Sequence, residues 1–161
     1  MHFPMPSGDP CYFCEIVNGI AHQWQIIEEN DLTMTLLNGR QFEVGQCVIV
    51  PRRHAPTLLD LEADEGLAVM SAAKRIAGVF VDVFAPEGIL LYQTSGEGSG
   101  QEVPHFHLHV VPRQPGSDWG FGPPHLERLE RLEREGRLRR DEYRIATDEK
   151  LETIGRLQRL L

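Results

Sequence analysis

Three observations predict an α+β domain with an antiparallel sheet of about five strands and one long helix. Short apolar or alternating stretches recur at residues 24–27, 33–37, 47–50, 89–93 and 105–112, each of strand length and bounded by polar, glycine or proline turns. A single strong helical period lies among them, carried by Leu67, Met70, Ala73, Ile76, Ala77 and Phe80 and stopped by Pro86. Helices do not alternate regularly with strands, which argues against a βαβ parallel sheet.

In chain order, Pro4, Pro6, Gly8 and Pro10 predict a loose arm over residues 1–10. Residues 11–18 suit a short helix that Gly19 ends. Residues 24–27 and 33–37 suit paired strands around a polar turn at 28–31. Residues 47–50 form a compact apolar strand closed by Pro51, and Asp60 or a neighbour is expected to cap the long helix. The last two strands are joined by Ser95-Gly96-Glu97-Gly98-Ser99-Gly100. From Gln114 the texture changes to a Gly/Pro-rich connector. Leu126, Leu129 and Leu132 then mark an apolar seam, supported by the i,i+4 pairs Glu127–Arg131, Glu130–Arg134 and Glu133–Arg137. A further helix is predicted over 148–161, with Leu151, Ile154 and Leu157 on one face. The expected organisation is an arm at 1–10, a domain at 11–113 and a connector with amphipathic helical extension at 114–161, docked on the domain or on a second subunit.

Sixteen basic against twenty-four acidic residues leave a formal charge of −8. That balance argues against tracking of a DNA or RNA backbone, while leaving room for a small nucleotide in a local pocket. The basic cluster at 137–140 is surrounded by acids and reads as a solvated helix end. Three cysteines make no disulfide framework and suit a reducing compartment. No apolar run approaches membrane-spanning length, so a cytoplasmic protein without membrane contact is expected.

The most informative segment is His105-Phe106-His107-Leu108-His109-Val110-Val111. Strict alternation predicts a strand with all three imidazoles on one side. At roughly 3.3 Å per residue the outer two would stand about 13 Å apart, too far for one compact metal ion to hold all three. At least one ring is then available for nucleophilic or acid–base work near neutral pH. Cys11 and Cys14, spaced C-x2-C, are open to three readings: a redox dithiol, a finger-type zinc site, or a tetrahedral zinc site completed by distant histidines. Cys47, in an apolar strand, reads as core.

The stretch Gly100-Gln101-Glu102-Val103-Pro104-His105-Phe106-His107-Leu108-His109-Val110-Val111-Pro112-Arg113 resembles the signature of the histidine-triad (HIT) family of nucleotide hydrolases and transferases. Upstream, Cys11-Tyr12-Phe13-Cys14-Glu15-Ile16-Val17 resembles that family's opening, and Gly45-Gln46-Cys47-Val48-Ile49-Val50-Pro51-Arg52-Arg53-His54 resembles its central strand ending in Pro-x-x-His. The resemblance covers about residues 11–113.

It implies that His107 attacks the α-phosphorus of a purine nucleotide ester, anhydride or phosphoramidate, or of a dinucleoside polyphosphate. The chemistry is sound on its own terms, because a neutral imidazole is a good nucleophile and a covalent nucleotidyl-histidine divides one difficult displacement in two. A backbone carbonyl near the other ring nitrogen would hold the required tautomer. His109 is implied to hydrogen-bond the non-bridging oxygens, and Gln101 a phosphate oxygen or the leaving group. Asn38 is implied to bind the ribose, Gly100 and its loop to approach phosphate, and Trp119 to lie near a partner subunit's site. Ile16 and Leu36 suit either core packing or the walls of a base pocket. A structural zinc on Cys11, Cys14, His54 and His105 is implied by zinc-containing members, as is a homodimer whose sheets join.

Two positions depart from the pattern. Thr94 stands where many members carry Asn or Gln, and Glu102 where some carry Ser or Thr. An acid at 102 is expected to repel additional phosphates and favour small leaving groups. Two rival readings are a non-catalytic nucleotide-binding protein with the same fold and a metallohydrolase that holds a catalytic ion on His54, His105 and His107.

Overall fold

The computed structural model describes residues 3–117, 134–136 and 146–161. Trp119, His125, the 137–140 cluster and most of the charged stretch after Leu126 lie outside the described residues.

The described chain forms a five-stranded antiparallel sheet with helices on both faces, as the apolar pattern predicts. The strands are β1 (Ile26–Glu29), β2 (Thr33–Leu37), β3 (Cys47–Pro51), β4 (Gly88–Tyr92) and β5 (Leu108–Arg113), in the spatial order β1-β2-β3-β5-β4. The helices are α1 (Tyr12–Val17), α2 (Ala63–Phe84) and α3 (Asp148–Gln158). β1 starts later than predicted because Gln23–Gln25 makes a 3-10 turn first. Asn30 closes the β1–β2 turn by accepting from the amides of Leu32 and Thr33 at 2.9 Å each.

β2 and β3 are buried along their whole length, and Met34, Leu36, Leu37, Cys47, Val48, Ile49 and Val50 divide between two apolar clusters. On one face α2 covers Leu37, Cys47, Ile49, Leu108 and Val110. On the other, Phe13 and Ile16 of α1 cover Met34, Leu36, Val48 and Val50. Cys47 is core, as expected. Ile16 and Leu36 are also completely buried, so both serve packing and present no surface to a base.

α2 corrects the expected helical stripe. Val69, Ala72, Ala73, Ile76, Val79 and Phe80 face the sheet, whereas Leu67 and Met70 are 70% and 56% exposed. Residues 67–70 are apolar all round the helix, so two overlapping stripes satisfy the period; the small Ala72 and Ala73 let the helix approach closely on the side that docks. Glu62, not Asp60, caps α2, in a reciprocal box with Glu65. Asp60 instead closes a box with Thr57 on the preceding 3-10 turn. α3 docks on the domain through part of the predicted face: Ile154 and Leu157 join the α2-side core beside buried Thr153, whereas Leu151 is exposed; Arg156 donates to the Val83 carbonyl at 2.6 Å, and Gln158 to that of Ile26 at 3.2 Å. It ends at Gln158, short of the predicted Leu161.

Within the segment expected as a loose arm, Phe3 and Pro4 lie against the glycine-rich loop and Gly8 lies against Pro104. The Glu97 amide donates to the Pro4 carbonyl at 3.0 Å. Gly96, at φ 86°, accommodates Phe3 so closely that a Cβ there would come within 2.7 Å of it.

Candidate active site

Regular β5 pairing begins only at Leu108, so His105 and His107 lie in the extended lead-in to the strand rather than in it. The lead-in is held by other means: the Phe106 amide donates to the Ala55 carbonyl at 2.6 Å. Alternation survives, with Phe106, Leu108 and Val110 on the α2 side. His109 therefore shares the α1 side with its cross-strand partners Val48 and Tyr92.

The three imidazoles have different partners. His105 is fully buried and donates Nε2–H to the Pro51 carbonyl at 2.9 Å. A carbonyl only accepts, so Nδ1 of His105 carries the bare lone pair, and it faces the sulfurs of Cys14 at 3.5 Å and Cys11 at 3.6 Å. Burial is the main reason its pKa falls to about 4, which keeps it neutral. The Cys14 sulfur also lies 3.2 Å from Nδ1 of His54, and the four donor atoms are all within 4.8 Å of one another. Tetrahedral zinc with S and N ligands needs donor separations of about 3.3–3.8 Å. The set fits the ion in identity and number, and its three contacts at 3.2, 3.5 and 3.6 Å already lie close to that spacing. Burial, with the neighbouring Cys11, pushes the Cys14 thiol up to about 12, a bias that a divalent cation would reverse. Arg53 steadies the His54 segment: its guanidinium donates to both carboxylate oxygens of Glu65 at 2.9 and 2.6 Å and to the Asp60 carbonyl. His107 is not part of this cluster.

His107 donates Nδ1–H to its own chain's His105 carbonyl at 2.8 Å. Nε2 is thus the unprotonated nitrogen, and burial holds the ring below the ordinary imidazole value. Phe13 packs 5.1 Å from it, and 7% of the residue stays accessible. His109 stands edge-on to His107 with centroids 5.0 Å apart. Its tautomer is the opposite one. Gln46 Oε1 accepts the Phe42 amide at 2.9 Å, which orients the amide group and leaves Nε2 to donate to His109 Nδ1 at 3.1 Å and to the Tyr92 hydroxyl at 3.3 Å. His109 must therefore carry its proton on Nε2. Tyr92 stacks on the ring at 4.3 Å with planes 8° apart. Burial, then the charges of His107 and Arg40, hold His109 well below 6.5, so it is a neutral donor. Side by side stand a bare nitrogen and an N–H donor, the pair that attack on phosphorus with stabilisation of its oxygens requires.

Gln101 behaves otherwise than the motif suggests. It is buried, its Oε1 accepts the Gly96 amide at 2.7 Å, and its Nε2 donates to the carbonyls of Pro56 at 2.7 Å and Val103 at 2.8 Å. Both amide hydrogens are spent within the protein. The side chain ties the glycine loop to the segment after His54 and to the lead-in of β5. Gly100 ends that loop at φ 84°, and Thr94 is half-buried in the segment leading into it. Asn38 donates to the Arg40 carbonyl at 2.9 Å just beyond β2. Glu102 is bound by Arg40 Nη2 at 3.0 and 3.1 Å, a partner that nothing in the local sequence announces. Gln46, Tyr92 and Arg40 were not singled out from sequence. The one available signal was that Gln46 shares the parity of Val48 and Val50 on β3.

An antiparallel α+β sheet carrying neighbouring histidines of opposite tautomer, one on β5 and one on its lead-in, beside a Cys2His2 cluster, defines a class of imidazole-based site. The HIT domain family model matches residues 21–116, and the chain belongs to the HIT family. It is 31% identical over 113 residues to an uncharacterized HIT-like protein of Borreliella burgdorferi, covering 69% of this chain and 81% of that one. It is 30% identical over 95 residues to a bis(5'-adenosyl)-triphosphatase of Dictyostelium discoideum, covering 59% and 64%. Among solved structures, a Zn-bound histidine triad family protein from Mycobacterium smegmatis superposes with a TM-score of 0.72 at 24% identity, covering 96% of this chain and 94% of that one. At that identity the likeness speaks for the fold.

Among the described residues no helix is long and apolar enough to cross a membrane.

Proposed function

We propose that this protein is a nucleotide hydrolase or nucleotidyltransferase that works at the α-phosphate of a nucleoside phosphoramidate, ester or dinucleoside polyphosphate, with His107 as the nucleophile. The observation that carries the reading is the hydrogen bond from His107 Nδ1 to the His105 carbonyl, which leaves Nε2 as a lone pair. In the first step Nε2 forms a bond to the α-phosphorus, and the bond from phosphorus to the leaving group breaks with its electron pair. The leaving group takes a proton from solvent as it departs. His109 donates Nε2–H to a non-bridging oxygen as charge shifts onto it. In the second step water, or another acceptor, attacks the same phosphorus and loses a proton to solvent, while the phosphorus–Nε2 bond breaks and its electron pair returns to His107. Asn38 would hold the ribose and the Thr94–Gly100 segment would lie along the phosphate. Gln101 acts here by positioning that segment.

A zinc ion on Cys11, Cys14, His54 and His105 would cross-link the N-terminal knuckle to the lead-in of β5 and so fix where His107 begins. These ligands form a closed set, so the ion's role is structural. Among the described residues no strand pairs with the outer edge of β4, and that edge, with Leu91 exposed, suits sheet-to-sheet joining in a homodimer. Purine specificity and a cytoplasmic location, without nucleic-acid or membrane binding, belong to the same reading.

The test is His107→Ala, assayed against an adenosine phosphoramidate and a diadenosine polyphosphate, with intact-mass analysis of the wild type after mixing. Turnover should fall by at least about a thousandfold on both substrates, with fold and zinc content kept, and the wild type should gain one nucleotidyl mass. Full activity in the variant would remove His107 from the mechanism.

A further inference from the structure

We propose that Gln46 is a positioning residue for His109: it fixes that ring as a hydrogen-bond donor that cannot serve as an acid. The site thereby selects nucleotides whose leaving group departs as a stable anion, such as a phosphate, over those that must release an amine. This selection rests on the nucleotidyl-transfer reading and names the substrate class within it.

Gln46 is fully buried just ahead of β3, and its backbone is pinned on both sides. Its amide donates to the Glu43 carbonyl at 3.1 Å, and its carbonyl accepts the Asn38 amide at 2.8 Å. The Phe42 amide, which can only donate, settles which end of the side chain is oxygen. Both hydrogens on Nε2 are then used, one on the Tyr92 hydroxyl at 3.3 Å and one on His109 Nδ1 at 3.1 Å. Tyr92 is the cross-strand partner of His109 and lies flat on its ring, so the plane of the imidazole is set along with its tautomer.

To act as a general acid near neutral pH, His109 must first hold a proton on each nitrogen. A proton on Nδ1 would point at the Gln46 amino group, donor against donor. Gln46 cannot turn its oxygen to meet that proton without giving up the Phe42 amide. Burial of the ring disfavours the charged form as well. His109 can therefore stabilise a phosphate oxygen through Nε2–H, but it keeps that proton, because a neutral imidazole is far too weak an acid to release it. Leaving groups feel the difference. As His107 Nε2 bonds to the α-phosphorus, the electron pair of the breaking bond passes to the departing atom. A phosphate or carboxylate oxygen carries that pair as an anion and can take up a proton from solvent afterwards. An amine nitrogen must gain its proton while the bond breaks, and His109 has none to give. Glu102, whose acid alone suggests the opposite preference, is paired with Arg40.

The experiment uses the full chain and two variants, Gln46→Glu and Gln46→Leu. Two-bond proton–nitrogen correlation spectra of histidine-labelled protein read the His109 tautomer, and kcat/KM is measured for diadenosine triphosphate and for adenosine 5'-phosphoramidate. In the wild type the ring should carry its proton on Nε2. Its kcat/KM for the triphosphate should exceed that for the phosphoramidate by at least about 100-fold, since a positioned general acid contributes about 10²- to 10⁴-fold where one is needed. In Gln46→Glu one carboxylate oxygen still meets the Phe42 amide and the other accepts a proton on Nδ1. His109 can then become an acid, and the ratio should move toward the phosphoramidate by at least about tenfold, a change that a general loosening of the site would not produce. Gln46→Leu removes the donor and adds no acceptor, so it should give mixed tautomers and lower kcat on both substrates by a similar factor of about 10. The two wild-type readings decide the matter even where Gln46→Glu fails to fold. A wild-type ring protonated on Nδ1, comparable wild-type kcat/KM for the two substrates, or an unchanged ratio in a folded Gln46→Glu would each overturn the proposal while leaving His107 as nucleophile. Turnover of neither substrate by a wild type with the Nε2–H ring would remove the nucleotidyl-transfer reading itself, and the selection with it.

Discussion

Replacing Gln101 by alanine separates two roles that the motif alone cannot distinguish. The buried amide makes three hydrogen bonds, to the Gly96 amide and to the carbonyls of Pro56 and Val103. A typical internal hydrogen bond contributes about 1 kcal/mol net, so losing three costs about 3 kcal/mol. In a chain of this length each kcal/mol lowers the unfolding midpoint by about 2–4 °C, which gives a fall of about 6–12 °C. Gln101→Glu should not rescue it: the carboxylate still accepts from Gly96 but then faces two carbonyl oxygens with no hydrogen to offer. Thermal unfolding followed by circular dichroism, alongside steady-state kinetics, reads both effects. An unfolding midpoint within 1–2 °C of wild type, combined with a large fall in kcat, would show that the amide faces substrate and that its role as a clamp is mistaken.

Metal analysis should find one zinc per chain in the wild type and in His107→Ala but almost none in Cys14→Ala; equal zinc in all three would dissolve the proposed cluster. Because Cys14 sits at about 12, zinc uptake should release protons and weaken as pH falls, and free zinc at a thousand times its Kd should stabilise the fold by about 4 kcal/mol. Burial lowers the pKa of His107, so its neutral form persists on the acid side of neutrality. The profile of kcat/KM should be level above pH about 6.5 and descend only below it, whereas activity that rises on acidification would mean that the protonated ring is the working form.

Much of the fold was legible because it is written in local periods. The five apolar stretches, the stop at Pro86 and the amphipathic residues 148–158 each satisfy a repeat of two or of 3.6 within a few positions. Likewise the 105-107-109 alternation survives as a shared side of the sheet even though regular pairing starts only at Leu108. The docking face of α2 was not legible. Residues 67–70 satisfy two stripes at once, and only the sheet against which Ala72 and Ala73 pack chooses between them.

By itself the sequence determined which side chains could do imidazole chemistry and which thiols could join them, since composition and spacing are properties of the chain alone. Tertiary structure decided which nitrogen of each ring is bare, where Gln101 points, and what Glu102 holds. Those outcomes depend on partners far away along the chain: Gln46 and His109 are 63 residues apart, Arg40 and Glu102 are 62, and Gln101 and Pro56 are 45. A hydrogen bond closed across such a distance leaves no period in the sequence, because only folding brings donor to acceptor.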